Sequence, residues 1–324
     1  MRRKITIYFG LILSAAFIIL IVKMVDFRGV LAAFKTFNLK YIVLLSLLYL
    51  YGMIIRTVRW RLLIAQHKKI TPTTVFSALV TGFMVNNVLP AKIGELVRAE
   101  YIAREGRLSR GFSLGTVFAE RMLDTALVLT FLFGSVIFSK PLIALVRENV
   151  WFLVILVSVF GLILLILLSK AIQKHLISFL PSKYQKLTHE LVERTAQSVS
   201  FLKRKNLFLK VGALTILIWL GVVVGFFLIF LAMGIRLPLY GYFTVVSIGS
   251  IGMVIPSTSA NIGVYDAVVM SAIMLFMIDK DTALAVAAIA HAFDIVPSIV
   301  LGLAVLLKHH FSLLKFWQRH LNKS

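Results

Sequence analysis

The sequence predicts an all-α polytopic membrane protein with about six full transmembrane helices, two broken or re-entrant helical regions and an inverted internal repeat. Of its residues 60% are hydrophobic, the mean hydropathy is +0.96, and several apolar runs reach about 18 residues, enough to cross a hydrocarbon core. The net charge is +22, but the Lys and Arg residues lie between the apolar runs, as topology and anionic lipid headgroups require. This placement argues against nucleic acid as a partner. Since cysteine is absent, a disulfide framework and a thiolate metal site are excluded.

The N-terminal part of the chain predicts two spans. A basic start precedes the apolar run 5–22, which we interpret as an uncleaved first helix with a cytoplasmic N-terminus. A short amphipathic connection leads to the second span, residues 41–63. That span ends in basic residues that we interpret as a cytoplasmic signal, namely Arg56, Arg59, Arg61, Lys68 and Lys69.

The apolar run 75–89 that follows is short for a full crossing, since only about 15 residues precede Pro90. If it crossed the membrane, the basic residues after it would lie outside, against the positive-inside rule. We therefore predict a re-entrant hairpin that returns to the cytoplasm, buried in protein or lining a wet cavity. These basic residues are Lys92, Arg98, Arg104, Arg107 and Arg110.

The middle of the chain predicts an outward span at 112–138, an external loop and a returning span at 150–168. Residues 170–210 contain no predicted span, and their basic and apolar residues recur at loosely helical spacing. Such a pattern is typical of an amphipathic helix on the cytoplasmic membrane surface, and a solvated linker helix explains it equally well.

The second half repeats the pattern of the first. A span at 211–233 is followed by a second broken region at 242–278 and by a last span at 282–307, after which a basic tail predicts a cytoplasmic C-terminus. We treat residues 1–324 as one transmembrane domain. It is divided into a first repeat (41–138), a connecting part (139–210) and a second repeat (211–307).

The two broken regions match in order and spacing. Thirty positions separate Gly94 from Asp124, and 31 separate Gly263 from Asp294. Because the predicted spans before the two breaks run in opposite directions, the repeats would be inverted, which is the best sequence indication of a transporter site. At about 1.5 Å per residue both aspartates would lie near the membrane midplane. The structural breaks themselves are Pro90, Gly94, Pro256 and Gly263.

The acidic helix positions are the first candidate site. Glu120 and Asp124 share a helix face, and Arg121 can reach Asp124 at i+3. One interpretation is a polar centre that holds a charged headgroup or relays a proton. The other is a structural network of ion pairs between helices, in which these charges neutralise one another. His291 and Asp294 repeat this arrangement, although a lone histidine can also be a hydrogen-bonded core residue.

The first break is the second candidate site. Lys92 and Arg98 could bind a phosphate through charge-assisted hydrogen bonds, helped by helix N-termini after the two prolines, or could be ordinary cytoplasmic charges. Polar residues at both breaks could satisfy freed backbone groups or contact a ligand. These are Asn86, Asn87, Ser257, Thr258, Ser259 and Asn261.

Three motifs resemble a known family. They are N-N-V-L-P-A-K-I-G-E-L-V-R (86–98, with Glu95), E-R-M-L-D (120–124) and P-S-T-S-A-N-I-G-V-Y-D (256–266, with Tyr265 and Asp266). Together they resemble the lysylphosphatidylglycerol synthase transmembrane region. That region is the flippase-like domain of the multiple peptide resistance factor and of stand-alone bacterial and archaeal membrane proteins. The resemblance implies an inner-membrane protein that translocates, or helps process, an anionic or glycosylated lipid.

Two departures from the family pattern qualify the resemblance. The family often has arginine where Lys92 stands, so the charge is kept here but the paired N–H donors of a guanidinium are lost. Its second motif is usually richer in glycine and ends in glutamate, where this chain has Asp266. The chain ends shortly after its last span, so we expect no synthase domain and no lysine transfer of its own.

Our main hypothesis is a lipid flippase-like transporter whose partners are membrane lipids. Asp124, Glu120 and Arg121 would form its centre, and Lys92, Glu95 and Arg98 its cytoplasmic mouth. The chain has no His/Glu metal spacing, no G-x-S-x-G motif and no Gly-rich phosphate loop, so we expect no enzyme and no cofactor. Two alternatives remain. One is a membrane enzyme or accessory subunit that acts on a polyprenyl-linked sugar with Asp124 or Glu120 as base. The other is a scaffold for a separate synthase or glycosyltransferase.

Overall fold

The computed structural model describes residues 35–89, 92–138, 197–253 and 259–309, together with isolated positions between 158 and 185. Eight α-helices lie within the four long ranges, and these ranges contain no strand. In chain order they are α1 (Tyr41–Ile64), α2 (Pro72–Val88), α3 (Gly94–Glu105), α4 (Arg110–Phe138), α5 (Lys205–Ala232), α6 (Leu239–Gly252), α7 (Val264–Met274) and α8 (Lys280–His309).

Four of these helices, α1, α4, α5 and α8, are long and apolar enough to cross a membrane. They correspond to the predicted spans 41–63, 112–138, 211–233 and 282–307. The outer face of α1 exposes Val43, Leu47, Ile54 and Val58, a helical spacing that suits contact with lipid. The class of α-helical multi-pass membrane protein is therefore confirmed. The predicted span 5–22 and most of the predicted span 150–168 lie outside the described residues.

The first broken region folds as a helical hairpin. Thr71 caps the N-terminus of α2, since its hydroxyl accepts a hydrogen bond from the Thr74 amide at 3.3 Å, and Pro72 takes the first helical position. After the break, α3 packs back along α2. The two backbones meet at Gly82 and Gly94, where a Cβ added to Gly94 would overlap the Gly82 carbonyl oxygen. This approach requires glycine at position 94.

The second broken region folds in the same way. A Cβ added at Gly249 of α6 would lie 2.9 Å from the Val269 side chain of α7, so these helices also pack closely. Three residues of the turn between them, Ala260, Asn261 and Gly263, have positive φ angles of 55°, 57° and 82°. This left-handed backbone lets the chain reverse within a few residues.

The helices pack in pairs that are consistent with an internal repeat. We call α1–α4 the first half and α5–α8 the second half. Between halves, α1 packs on α5, α2 on α8, and α4 on α6; within halves, α2 packs on α3 and α6 on α7. If each helix is replaced by its counterpart in the other half, so that α1 becomes α5 and α2 becomes α6, the same principal helix pairs result. The tips of the hairpins also meet, because α2 packs against the turn Ser259–Asn261.

The connecting part is described mainly at its C-terminal end. Val199 and Phe201 are buried with Leu63 of α1 and Met122 of α4, and α5 begins at Lys205 rather than at the predicted residue 211. The end of the predicted surface helix therefore packs against the two long helices of the first half. Most of residues 170–196 lie outside the described part.

Candidate functional site

A cavity of about 580 Å³ lies between the two halves, within the size range of small-molecule sites. Both hairpins and the four long helices α1, α4, α5 and α8 contribute to its wall. Its apolar wall comes mainly from α5 and α6, and its polar wall from the other elements. The polar and charged lining residues are Tyr49, Arg56, Asn86, Asn87, Lys92, Glu95, Arg121, Asp124, Trp219, Ser250, Asn261, Tyr265, His291 and Asp294.

Most of the predicted site residues meet in this cavity. Ten line it: Asn86, Asn87, Lys92, Glu95, Arg121, Asp124, Asn261, Tyr265, His291 and Asp294. Glu120 and Arg98 are buried behind the wall. Asp266 is not a lining residue but lies within hydrogen-bond distance of the lining residue His291. Ser257, Pro90 and Pro256 lie outside the described residues.

A buried ion network forms the floor behind the cavity. The Arg59 guanidinium donates hydrogen bonds to Glu120 Oε1 at 3.2 Å and to both Asp124 oxygens at 2.6 and 3.2 Å. Glu120 accepts a second arginine, with Arg98 Nη1 at 2.8 Å. Arg59 and Glu120 are each 1% exposed and Arg98 is 2% exposed. Buried charges persist only when paired in this way, so these residues fix α1, α3 and α4 relative to one another.

The sequence analysis assigned Arg56 and Arg59 to a cytoplasmic topology signal and did not predict their place in the site. Arg59 is buried in the ion network, and Arg56 lines the cavity. One signal could have revealed them: both lie inside the apolar helix Tyr41–Ile64 rather than beyond its end, and ionisable residues within a span are usually functional or paired. Arg98, predicted as a phosphate contact, instead pairs with Glu120 and stacks 4.9 Å over the Trp60 ring.

Asp124 connects the ion network to the cavity. Its carboxylate accepts the Trp219 indole N–H at 3.0 Å in addition to Arg59. Arg121 approaches Asp124 at 3.6 Å and Glu95 of the first hairpin at 3.3 Å. The predicted i, i+3 contact is therefore present, and Arg121 links the hairpin to α4.

Two cations of the wall have no carboxylate partner. Arg56 and Lys92 form no ion pair within the described residues, and Arg56 lies 5.8 Å from the centre of the Phe83 ring. Among the described residues, the cavity and its floor hold five cations and four carboxylates, besides the His291–Asp266 pair. The cations are Arg56, Arg59, Lys92, Arg98 and Arg121, and the carboxylates are Glu95, Glu120, Asp124 and Asp294.

The second half contributes a histidine–aspartate pair. His291 Nδ1 lies 3.0 Å from Asp266 Oδ1, and its Nε2 lies 2.7 Å from the Ala260 carbonyl oxygen. Asp266 also accepts the Gly263 amide at 3.0 Å, which caps α7. Asp294, one turn after His291, faces the cavity. Within the described residues, no group of three or more His, Asp or Glu side chains is placed to hold a metal ion.

The fold and the site define a class: a multi-pass α-helical membrane protein with two helical hairpins around a charged internal cavity. The chain belongs to the family of the lysylphosphatidylglycerol synthase TM region, which matches residues 7–302. The resemblance deduced from the three motifs is thereby confirmed.

Two archaeal relatives carry only family-level names. The UPF0104 membrane protein MJ1595 of Methanocaldococcus jannaschii is 30% identical over 129 residues, covering 37% of each chain. A UPF0104 membrane protein of Methanothermobacter thermautotrophicus is 25% identical over 217 residues, covering 60% of this chain and 63% of the relative. The matches therefore span less than two thirds of either relative. No solved structure gives a significant match.

Proposed function

We propose that this protein is a flippase-like transporter of a lipid with an anionic or glycosylated headgroup. The observation that carries the proposal is the internal cavity, in which Arg56 and Lys92 form no ion pair with any carboxylate of the described residues. Arg56 is half-buried and Lys92 is exposed at the cavity wall. Cations that form no ion pair with the described carboxylates favour an anionic ligand, because each can donate charge-assisted hydrogen bonds to phosphate oxygens. The cavity lies between helices whose outer faces are apolar, so lipid tails can remain in the bilayer while the headgroup enters.

The ion network would serve as a rigid base for this site. Arg59, Glu120 and Asp124 neutralise one another and hold the long helices, whereas Arg56 and Lys92 remain free to bind. The two hairpins would then form the moving parts. The exchangeable helix packing supports an inverted repeat, in which one half rocks against the other around a fixed site.

The location and partners follow from the same proposal. We place the protein in the cytoplasmic membrane with both termini in the cytoplasm, as the distribution of basic residues indicates. A separate synthase or glycosyltransferase would supply the lipid. An enzymatic role with Glu120 or Asp124 as base has less support, because every oxygen of both carboxylates already accepts a hydrogen bond from an arginine.

The test is lipid movement in vesicles that contain the purified full-length protein. A fluorescent anionic phospholipid is placed in one leaflet, and its appearance in the other is followed with a membrane-impermeant quencher. Arg56→Gln and Lys92→Gln should each raise the half-saturating lipid fraction about tenfold, the usual effect of one lost charge-assisted hydrogen bond. Arg110→Gln is the matched control, because it removes a positive charge from a side chain that is 66% exposed, outside the cavity.

The outcomes are distinct. Movement no faster than in empty vesicles for every anionic and glycosylated probe would refute the transporter proposal. Equal losses in Arg56→Gln and Arg110→Gln would show that surface charge, and not the cavity, attracts the lipid.

A further inference from the structure

His291 lies between two hydrogen-bond acceptors, which determines how many protons it carries. The Ala260 carbonyl oxygen has no hydrogen to donate, so the 2.7 Å contact requires a proton on Nε2. The other ring nitrogen, Nδ1, lies 3.0 Å from Asp266 Oδ1. Since the neutral ring has only one N–H, this second contact requires one more proton, on His291 or on Asp266.

We propose that His291 and Asp266 form a proton-binding site, separate from the anion site at Arg56 and Lys92. The pair holds one exchangeable proton in the hydrogen bond between Nδ1 and Oδ1. The other Asp266 oxygen already accepts the Gly263 amide at 3.0 Å. We assign the shared proton to Nδ1, where the imidazolium and the carboxylate form a charge-assisted hydrogen bond.

The proton would hold the second hairpin in place. With it, His291 bridges α8 both to the left-handed turn at Ala260 and to the first turn of α7 at Asp266. Without it, a nitrogen lone pair and a carboxylate oxygen face each other at 3.0 Å, and the two groups must separate or admit water. Because His291 lines the cavity, the proton can come from cavity water and return to it.

The charged and titratable groups around the pair come from three helices. α7 contributes Tyr265, whose ring centre is 4.6 Å from that of His291. α8 contributes Asp294, one turn after His291, and α1 contributes Tyr49 and Arg56, which line the same cavity. On the helices α2 and α5, which also pack on α8, the polar groups of the cavity wall are uncharged.

The first half has a permanent charge in the corresponding place. There Arg121 of α4 pairs with Glu95 of the hairpin at 3.3 Å and lies three residues before Asp124, as His291 lies three residues before Asp294. Arginine does not lose its proton in proteins, whereas histidine titrates near neutral pH. Of these two corresponding positions, Arg121 and His291, only the histidine would therefore exchange its proton near neutral pH. If the proposed transport is correct, proton exchange at this site would couple to hairpin movement.

The first experiment measures the pair without any transport assay. The full-length protein with ¹⁵N-labelled histidine is titrated by NMR, and amide exchange of residues 259–266 is followed by mass spectrometry after correction for intrinsic exchange. The His291 signal, assigned with His291→Gln, should change from imidazolium to neutral ring as pH rises. Exchange of 259–266 should increase about tenfold through the same pH range, the factor that corresponds to about 1.4 kcal/mol.

The matched variant is Asp266→Asn. Its side-chain amide can donate to the neutral Nδ1 while its oxygen still accepts the Gly263 amide, so the contact no longer needs the extra proton. The pH-dependent step in exchange should disappear in Asp266→Asn and persist in His67→Gln, which removes an exposed histidine elsewhere. A ring that stays neutral, an imidazolium that does not titrate, or an unchanged step in Asp266→Asn would overturn the proposal.

The coupling is tested in vesicles with an imposed pH difference. A proton gradient should change the rate of lipid movement in the wild type and not in Asp266→Asn. If no lipid moves but the histidine titration and exchange step are present, the transporter proposal fails and the proton site stands. If lipid moves but the titration is absent, the reverse holds.

Discussion

The ion network predicts that Arg59 is a major source of stability. We consider Arg59→Met, which removes the charge and keeps most of the side-chain volume. Arg59 donates hydrogen bonds to Glu120, to both oxygens of Asp124, and to the Thr215 hydroxyl at 3.0 Å. The change leaves two buried carboxylates that have lost a shared counterion.

The expected loss is smaller than the sum of these bonds. Glu120 keeps Arg98 at 2.8 Å, and Asp124 keeps the Trp219 indole at 3.0 Å and Arg121 at 3.6 Å. Breaking one member of a buried ion pair typically costs about 3 to 5 kcal/mol. We expect a loss in this range, a large part of the roughly 5 to 15 kcal/mol that holds a protein folded. In a chain of this size it corresponds to a fall in Tm of roughly 10 °C.

The assay is thermal unfolding of the full-length protein in detergent. Arg61→Met, two residues away, is the control: Arg61 is exposed and hydrogen-bonds the Ile70 carbonyl at 2.9 Å, so its loss should cost about 1 kcal/mol. The double variant Arg59→Met/Asp124→Asn should be more stable than Arg59→Met alone, because it removes one of the stranded charges. A Tm for Arg59→Met close to that of Arg61→Met, or a double variant destabilised by the sum of its parts, would refute the reasoning.

Two further predictions concern the first hairpin. Gly94→Ala should reduce stability by about 1 to 3 kcal/mol or prevent folding, because the new methyl group overlaps the Gly82 backbone. The control Gly134→Ala places its methyl group where no atom lies within 4 Å, so it should be neutral or slightly stabilising. The yield of monodisperse protein is measured for both variants. Burial raises the pKa of Glu100, but hydrogen bonds from Arg110 and Arg104 outweigh the effect of burial and hold this pKa below its ordinary value. The resulting stability is present above the ordinary pKa of glutamate and is lost as pH falls through the lower folded-state pKa. The Tm difference between wild type and Glu100→Gln should therefore shrink as pH is lowered from 7 to 3. A difference that stays constant over this range would contradict the proposed role of the Glu100 carboxylate.

The apolar runs and the glycine–proline breaks predicted the helices well, because both features act locally. A run of apolar residues must leave water, and a break at Pro90 or Pro256 must interrupt the helical hydrogen bonds wherever it falls. The pairing of Arg121 with Asp124 was also predictable, since it depends only on helix geometry. The repeat spacing predicted that both aspartates would occupy equivalent helix positions, and both line one cavity.

The roles of the arginines could not be predicted in the same way. Arg56, Arg59 and Arg61 occupy one stretch of one helix, and the positive-inside rule treats them alike. They differ because the helix presents Arg59 to Glu120, 61 residues further along the chain, and Arg56 to the cavity, while Arg61 stays exposed. Likewise, nothing near His291 in the sequence shows that its ring faces the Ala260 carbonyl oxygen.

The sequence by itself determined that this protein lies in a membrane and where its apolar helices are interrupted. These properties follow from hydrophobicity and backbone chemistry, which each segment carries alone. Only the tertiary structure decided which charges neutralise one another and which remain available in the cavity. That division depends on distances between side chains of different helices, and a buried charge is structural or free according to the partner that the fold places beside it.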